Sequence, residues 1–235
     1  MQKGYDDVCG DKSIPAGGST ACVAIASDDG LMEVANLGDS GFVHLRLNAV
    51  HNYSEPQTHA FNTPYQLSVI PPSMLARAAA FGGAQLCDYP KDADVTSHTL
   101  KHGDIVILAS DGVWDNLFNQ DILRIASRLM TGVGAWKASA GGIQVADSLA
   151  PFTTPENSAE NSPKTLTLQS ALALEILGAA KSASINQRLD GPFAKEVQKY
   201  YPHEDWHGGK IDDICIIVMV VSEDGATTST SKAKL

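Results

Sequence analysis

Residues 214–221 read "ICIIVMVV", eight residues without a charge or a strong hydrogen-bonding side chain. The stretch is dominated by β-branched residues and is far too short to span a bilayer, so it reads as a strand that is apolar on both faces. A strand of this kind must be covered above and below, and the expectation is a central place in its sheet. Asp212 and Asp213 stand immediately before it. A second run, "DIVILAS" (104–110), has the same character and leads straight into Asp111. If the two runs are antiparallel neighbours, the exit of one lies beside the entrance of the other. Asp111 and Asp212 then meet at one edge of the sheet.

The remaining pattern builds layers around these strands. "TACVAIAS" (20–27) reads as a strand ended by the turn signal "DDG", and "LMEVANL" (31–37) as the next. "GDSG" (38–41) is a tight turn carrying Asp39, and "FVHLRL" (42–47) alternates as a half-buried strand should. Residues 51–73, with Pro56, Pro64, Pro71 and Pro72, read as loop. "VTSHTL" (95–100) and "DIVILAS" flank "KHG" and read as a hairpin. From Asn119 to Met130, Ile122, Leu123, Ala126, Leu129 and Met130 fall on one helical face, with Asn119 as N-cap and Asp121 in the first turn. Residues 131–164 are rich in Gly, Ser, Thr and Pro, show no period, and read as a long flexible insertion. A second helix follows over Thr165–Ile185, striped by Leu168, Leu172, Ile176 and Ala180 and broadened by Leu174 and Leu177. Residues 1–16 are a lead-in, 17–221 the domain, and 222–235 a disordered tail. The order of strands, helices, then strand points to an α+β layered fold on antiparallel sheet rather than a parallel βαβ series.

Composition excludes several function classes. With 235 residues and 43% hydrophobic content the chain can bury one sizeable core. A formal net charge of -10 repels phosphate backbones, so no nucleic-acid partner is expected, nor docking to anionic membranes. No segment is long and apolar enough for a membrane span. The opening "MQKGYDDVCGDKSIPAGG" has no apolar core and is too acidic for a transit peptide, so no targeting segment is expected in it. Cys9, Cys22, Cys87 and Cys215 are scattered, without a CxxC pair, and read as free thiols. No P-loop, GxSxG or HExxH motif appears, and "SDGVWDN" places its oxygens at the wrong offsets for an EF-hand.

Asp39, Asp111 and Asp212 each stand at a strand end, where a carboxylate hangs from a rigid sheet yet stays wet enough to ionise. Taken singly, an aspartate in such a place ordinarily caps local N–H groups. Taken together, converging carboxylates repel one another unless a cation sits between them. Oxygen ligands without His or Cys suit Mg²⁺ or Mn²⁺. Gly38, Gly112, Gly208 and Gly209 beside them permit close backbone approach. Trp114 is expected to pack under the loop and fix Asp111, while His207 and Lys210 read as solvated loop residues.

"GGSTACVAI", "ANLGDSGFV", "ILASDGVWDNL" and "GGKIDDICIIVMVV", in that order, resemble the motifs of the metal-dependent type 2C (PPM) protein phosphatase family. "HAFNTPYQLS" (59–68) is similar to its mitochondrial branch. The resemblance runs from about Gly17 to Val221, with 131–164 outside it. It implies a two-layer antiparallel β-sandwich flanked by helices, with two catalytic Mg²⁺ or Mn²⁺ ions and a possible third, and hydrolysis of phosphoserine and phosphothreonine in a phosphoprotein substrate. By motif, Asp111 is a ligand of one catalytic ion, Asp212 of the other, and Asp39 of a weaker third; Asp213 stands where the family has Asn or Asp. The family's Asp-Gly-x-Gly-Gly segment, whose Asp bridges both ions, has no match. The chain opens just upstream of "GGSTA", so the fold is expected to be N-terminally incomplete and the isolated chain weakly active or inactive. The alternative is a catalytically inactive binding module of the same fold. A monomer is expected, in mitochondria by the branch resemblance and otherwise in the cytoplasm.

Overall fold

The computed structural model describes residues 1–80, 87–155 and 166–223. An exposed helix α1 (Gln2–Gly10) leads into β1 (Gly17–Ser19), β2 (Ala21–Ala26), β3 (Leu31–Leu37), β4 (Gly41–Arg46) and β5 (Ala49–Tyr53). Three short strands follow, β6 (Thr58–Ala60), β7 (Thr63–Pro64) and β8 (Leu67–Val69), then helix α2 (Pro72–Ala80). Next come β9 (Asp94–Thr99), β10 (Ile105–Ala109), the one-turn helix α3 (Asp111–Trp114) and α4 (Asn119–Gly132). The hairpin β11 (Trp136–Ser139) and β12 (Gly142–Val145), the short α5 (Ala150–Thr153), α6 (Leu168–Ser184), α7 (Pro192–Tyr200) and β13 (Ile216–Val220) complete the order.

Two antiparallel sheets form the body, one ordered β13-β10-β4-β5 and the other β2-β3-β9. Strand β10 serves both faces of its sheet. Ile105, Ile107 and Ala109 join Val43 and Leu45 of β4 against Ile122, Ala126 and Met130 of α4 and Leu172, Ile176 and Ala180 of α6. Val106 turns the other way, to Met32 and Val34 of β3 and Phe42 of β4, with Leu108 and Met219 beside them. The result is the α+β antiparallel sandwich that the alternating and two-sided apolar strands call for.

Several expectations need correction. β13 is apolar on both faces, but among the described residues it pairs with β10 alone and lies at the edge of its sheet, with Ile217 61% exposed. Two-sided apolarity reports the layers above and below a strand, not its lateral neighbours. β9 and β10 are not a hairpin: β9 pairs with β3 and β10 with β4 and β13, so "KHG" carries the chain from one sheet to the other, with Gly103 at φ 86°. Residues 51–73 are not all loop: Pro64 sits in the two-residue β7 and Pro72 at the first position of α2, where a missing N–H costs little, while Pro56 and Pro71 lie between elements. Helix α4 is capped by Phe118 rather than Asn119, and Asp121 reaches back to accept the Phe118 N–H at 3.1 Å. In α6 the stripe Leu168, Leu172, Ile176 and Ala180 is buried, but Leu174 and Leu177 face outward. Within the segment read as a flexible insertion, residues 136–153 are ordered structure. Trp136 and Leu149 are buried, and the Trp136 indole N–H donates to Gly103 O at 3.0 Å. Residues 156–165 of that segment and 224–235 of the tail lie outside the described residues.

The end of the sandwich away from Asp111 is closed by Asp104. Its carboxylate accepts from Arg46 Nε at 2.8 Å and Nη2 at 2.7 Å, from the Lys101 N–H at 2.7 Å, and pairs with the buried His44 Nε2 at 2.8 Å. Burial pushes the Asp104 carboxyl up, but Arg46, His44 and the Lys101 N–H more than offset it and hold it at about 2. Asp104→Ala is therefore expected to lower the unfolding free energy by about 3 kcal/mol in urea denaturation at neutral pH. Because the folded value lies below the ordinary one, the ion pair's contribution is complete above about pH 4 and is lost as pH falls toward 2. The gap between wild type and Asp104→Ala narrows over that window.

Candidate metal centre

The pairing of β10 with β13 runs from Ile105↔Val220 to Ala109↔Ile216. Ser110 extends it by one step: its N–H donates to Cys215 O at 3.1 Å, and its hydroxyl bridges Asp213 O and the Cys215 N–H at 3.1 and 3.0 Å. β10 therefore ends, and the segment before β13 begins, at the same place. The chain then folds at once into α3, which puts Asp111 and Asp115 one turn apart, the Asp115 N–H donating to Asp111 O at 2.7 Å. A side chain at Gly112 would collide with Asp213 O, so only glycine lets α3 press against that backbone. The Trp114 indole N–H donates to Ala109 O at 2.9 Å, tying the helix to the end of its strand.

Asn116 joins the two halves. It is 4% exposed, and its side-chain amide donates to Gly112 O at 3.0 Å and to Lys210 O at 2.9 Å, while its carbonyl accepts the Lys210 N–H at 3.0 Å. That clasp holds residues 210–212 against α3. Lys210 Nζ then lies 2.6 Å from Asp115, 3.0 Å from Asp212 and 3.2 Å from Asp111. One oxygen from each of Asp111, Asp115 and Asp212 falls within 4.8 Å of the others.

The electrostatics follow from that crowding. Burial pushes Asp115 up to about 6, further than the Lys210 ammonium pulls it down, and the Asp111 and Asp39 charges add to the rise. Burial also acts on Asp212, but Lys210 and the Asp213 N–H hold it below the ordinary range. Lys210 is raised: burial disfavours its charge, and the surrounding carboxylates win. Asp39, in the turn between β3 and β4, is raised by burial and by Asp111. It stands beside the cluster of three rather than within it. One ammonium leaves three carboxylates with an excess of two negative charges, all on oxygen. A hard divalent ion matches that donor set in both charge and chemistry.

Of the residues singled out in the sequence, Asp111 and Asp212 converge, with Asp39 adjacent. Asp115 and Asn116 were missed, although Asp-x-x-x-Asp at the start of a one-turn helix was a readable signal. Lys210 is not a solvated residue; it sits among the carboxylates. His207 is outside the cluster, 3.0 Å from Asp190, which also accepts the Gly208 N–H at 3.0 Å and so steadies the loop leading to Lys210.

No protein-family model matches the chain. It is 32% identical over 217 residues to protein phosphatase 2C homolog 7, mitochondrial, of Saccharomyces cerevisiae, covering 92% of this chain and 54% of that protein. It is 33% identical over 222 residues to the protein phosphatase PTC7 homolog fig of Drosophila willistoni, covering 93% of this chain and 57% of the relative. The chain thus spans little more than half the length of these curated relatives. Among solved structures, the photosystem II phosphatase PBCP superposes with a TM-score of 0.64 at 22% identity, over 94% of this chain and 69% of the other, and shares its fold. Over nearly its whole length the chain is therefore similar to type 2C protein phosphatases. The yeast relative is named as mitochondrial and the Drosophila relative as a PTC7 homolog.

Asn116→Leu keeps the branched outline of the side chain but leaves the Lys210 N–H and C=O and the Gly112 C=O without their partner. We expect a loss of about 2–3 kcal/mol in unfolding free energy. We also expect a smaller rise in melting temperature on adding MnCl2 than the wild-type chain shows, measured by differential scanning fluorimetry.

Proposed function

We propose that the protein containing this chain hydrolyses phosphoserine and phosphothreonine in proteins, with Mg²⁺ or Mn²⁺ held by Asp111 and Asp212. Asp115 adds a further oxygen, and Asp39 serves a weaker third ion. The observation that carries this reading is the convergence of Asp111, Asp115 and Asp212 on one cationic position at the paired ends of β10 and β13. When bound, the divalent ions supply an activated water and neutralise charge on the phosphoryl oxygens.

The chain's own residues supply position and electrostatic balance. Asp111 is fixed by the strand behind it and by Trp114, and Asp212 by its place before β13. Asn116 keeps the two halves in register. Lys210 balances the excess negative charge and stands beside the position where a phosphate dianion must approach. The second reading, an inactive binding module, has no observation in its favour, since the relatives bear phosphatase names. A mitochondrial location is proposed from the name of the yeast relative.

The test is hydrolysis of p-nitrophenyl phosphate with MnCl2, by this chain and by a form extended to the length of its relatives. Turnover is expected to require Mn²⁺. Asp111→Asn and Asp212→Asn are each expected to lower kcat by at least about 100-fold, on the scale of losing a group that acts in the transition state. Turnover that survives EDTA, or that both variants leave unchanged, refutes the assignment.

A further inference from the structure

A cavity of about 350 Å³ opens beside the carboxylates, and Asp39 and Asp115 belong to its wall as well as to the neighbourhood of the centre. Two features set its chemistry. Phe61 packs on Phe193 and on Tyr200 with ring centroids 5.5 Å apart in both pairs, building an aromatic side to the cavity. Glu55 and Glu196 line it too, which makes four carboxylates with Asp39 and Asp115, and among the described residues no Lys, Arg or His lines it. Lys199 reaches Glu196 at 3.5 Å, but that pair is exposed on both sides and contributes little.

An acidic side chain entering this space meets the like charge of Glu55 and Glu196. A purely apolar one offers those carboxylates no counter-charge. A long cationic side chain satisfies both features: its methylenes and charge lie on ring faces, and its N–H groups reach carboxylate oxygens. The chain already contains one such arrangement at the cavity wall. Lys210 Nζ lies 5.0 Å from the centroid of the Phe193 ring while bonding Asp115 at 2.6 Å. The volume is at the small end for a ligand pocket and holds one long side chain rather than a folded peptide segment.

We propose that this cavity receives an arginine or lysine side chain of the substrate, within about three residues of the phosphorylated one. The spacing follows from the shared wall residues, because extended peptide advances about 3.3–3.6 Å per residue. The substrate class is then a basic phosphopeptide segment, and Glu55 and Glu196 are specificity-determining residues. This rests on the phosphatase reading and deepens it.

The experiment measures fluorescence anisotropy of labelled nonapeptides with the full chain, in 0.15 M salt with MnCl2. The peptides carry a non-hydrolysable phosphonate in place of phosphoserine, or plain serine. They are flanked on both sides by Arg, by Ala or by Glu. We expect Arg peptides to bind at least about 10-fold more tightly than Ala peptides, with or without the phosphonate. In the double variant Glu55→Gln/Glu196→Gln that preference is expected to fall to within about twofold, while Ala-peptide affinity and melting temperature hold. Equal affinity for Arg and Ala peptides overturns the proposal. So does an Arg preference that survives the double variant, which would reflect the general acidity of the surface. The p-nitrophenyl phosphate assay has no flanking residues. Its failure in the extended form alongside an intact Arg preference sinks the phosphatase reading and leaves the cation-binding cavity standing.

Discussion

Antiparallel pairing between β10 and β13 brings Asp111, from the middle of the sequence, to Asp212 near its end. The ladder has no slack: five residue pairs, then Ser110 bonding both Asp213 and Cys215. A slip of one residue would turn every side chain of β13 to the other face, exposing Ile216, Val218 and Val220 and moving Asp212 away from Asp111. The core thus sets the register, and the register sets the carboxylate geometry. Burial of Ile105, Ile107 and Ala109 against α4 and α6 is what makes the distance between Asp111 and Asp212 reproducible.

At that place the fold works against its own electrostatics. Three carboxylates crowd one position, and Asp115 sits where burial outweighs its own ion pair. Lys210 relieves part of the repulsion, and Asn116 keeps Lys210 where it does so. Packing elsewhere sustains a local arrangement that is unfavourable by itself, which is how strained functional sites generally persist. The far end of the sandwich has the opposite character. Asp104 has a full set of donors and no excess charge, and it secures the fold.

The layered α+β class, strands β2, β3, β4 and β10, the buried stripe of α6 and the meeting of Asp111 with Asp212 were legible in the sequence, because each rests on hydrophobic period or on charge at a strand end. What was not legible depends on lateral placement. β13 reads as central because both its faces are apolar, yet its neighbours are set by topology. The runs "VTSHTL" and "DIVILAS" look like a hairpin because only "KHG" parts them, yet those residues cross between sheets. Trp136 lies in a stretch without period, and its burial depends on Gly103, more than thirty residues away, accepting its indole N–H. Lys210 reads as a surface lysine because nothing local marks the three carboxylates that surround it.

The bond between Lys210 and Asp111 closes a loop of 99 residues. Contacts at that separation are slow to form, since the entropy of closure is lost before the contact gains anything. The centre therefore has no partial version during folding. α3 and its two aspartates can be in place early, but they face solvent until β13 has docked. Any lesion that delays that docking, even one deep in α4 or α6, would produce a chain with most of its secondary structure and its carboxylates still apart. Such a chain would be compact and acidic, with nothing in its secondary structure to mark the loss.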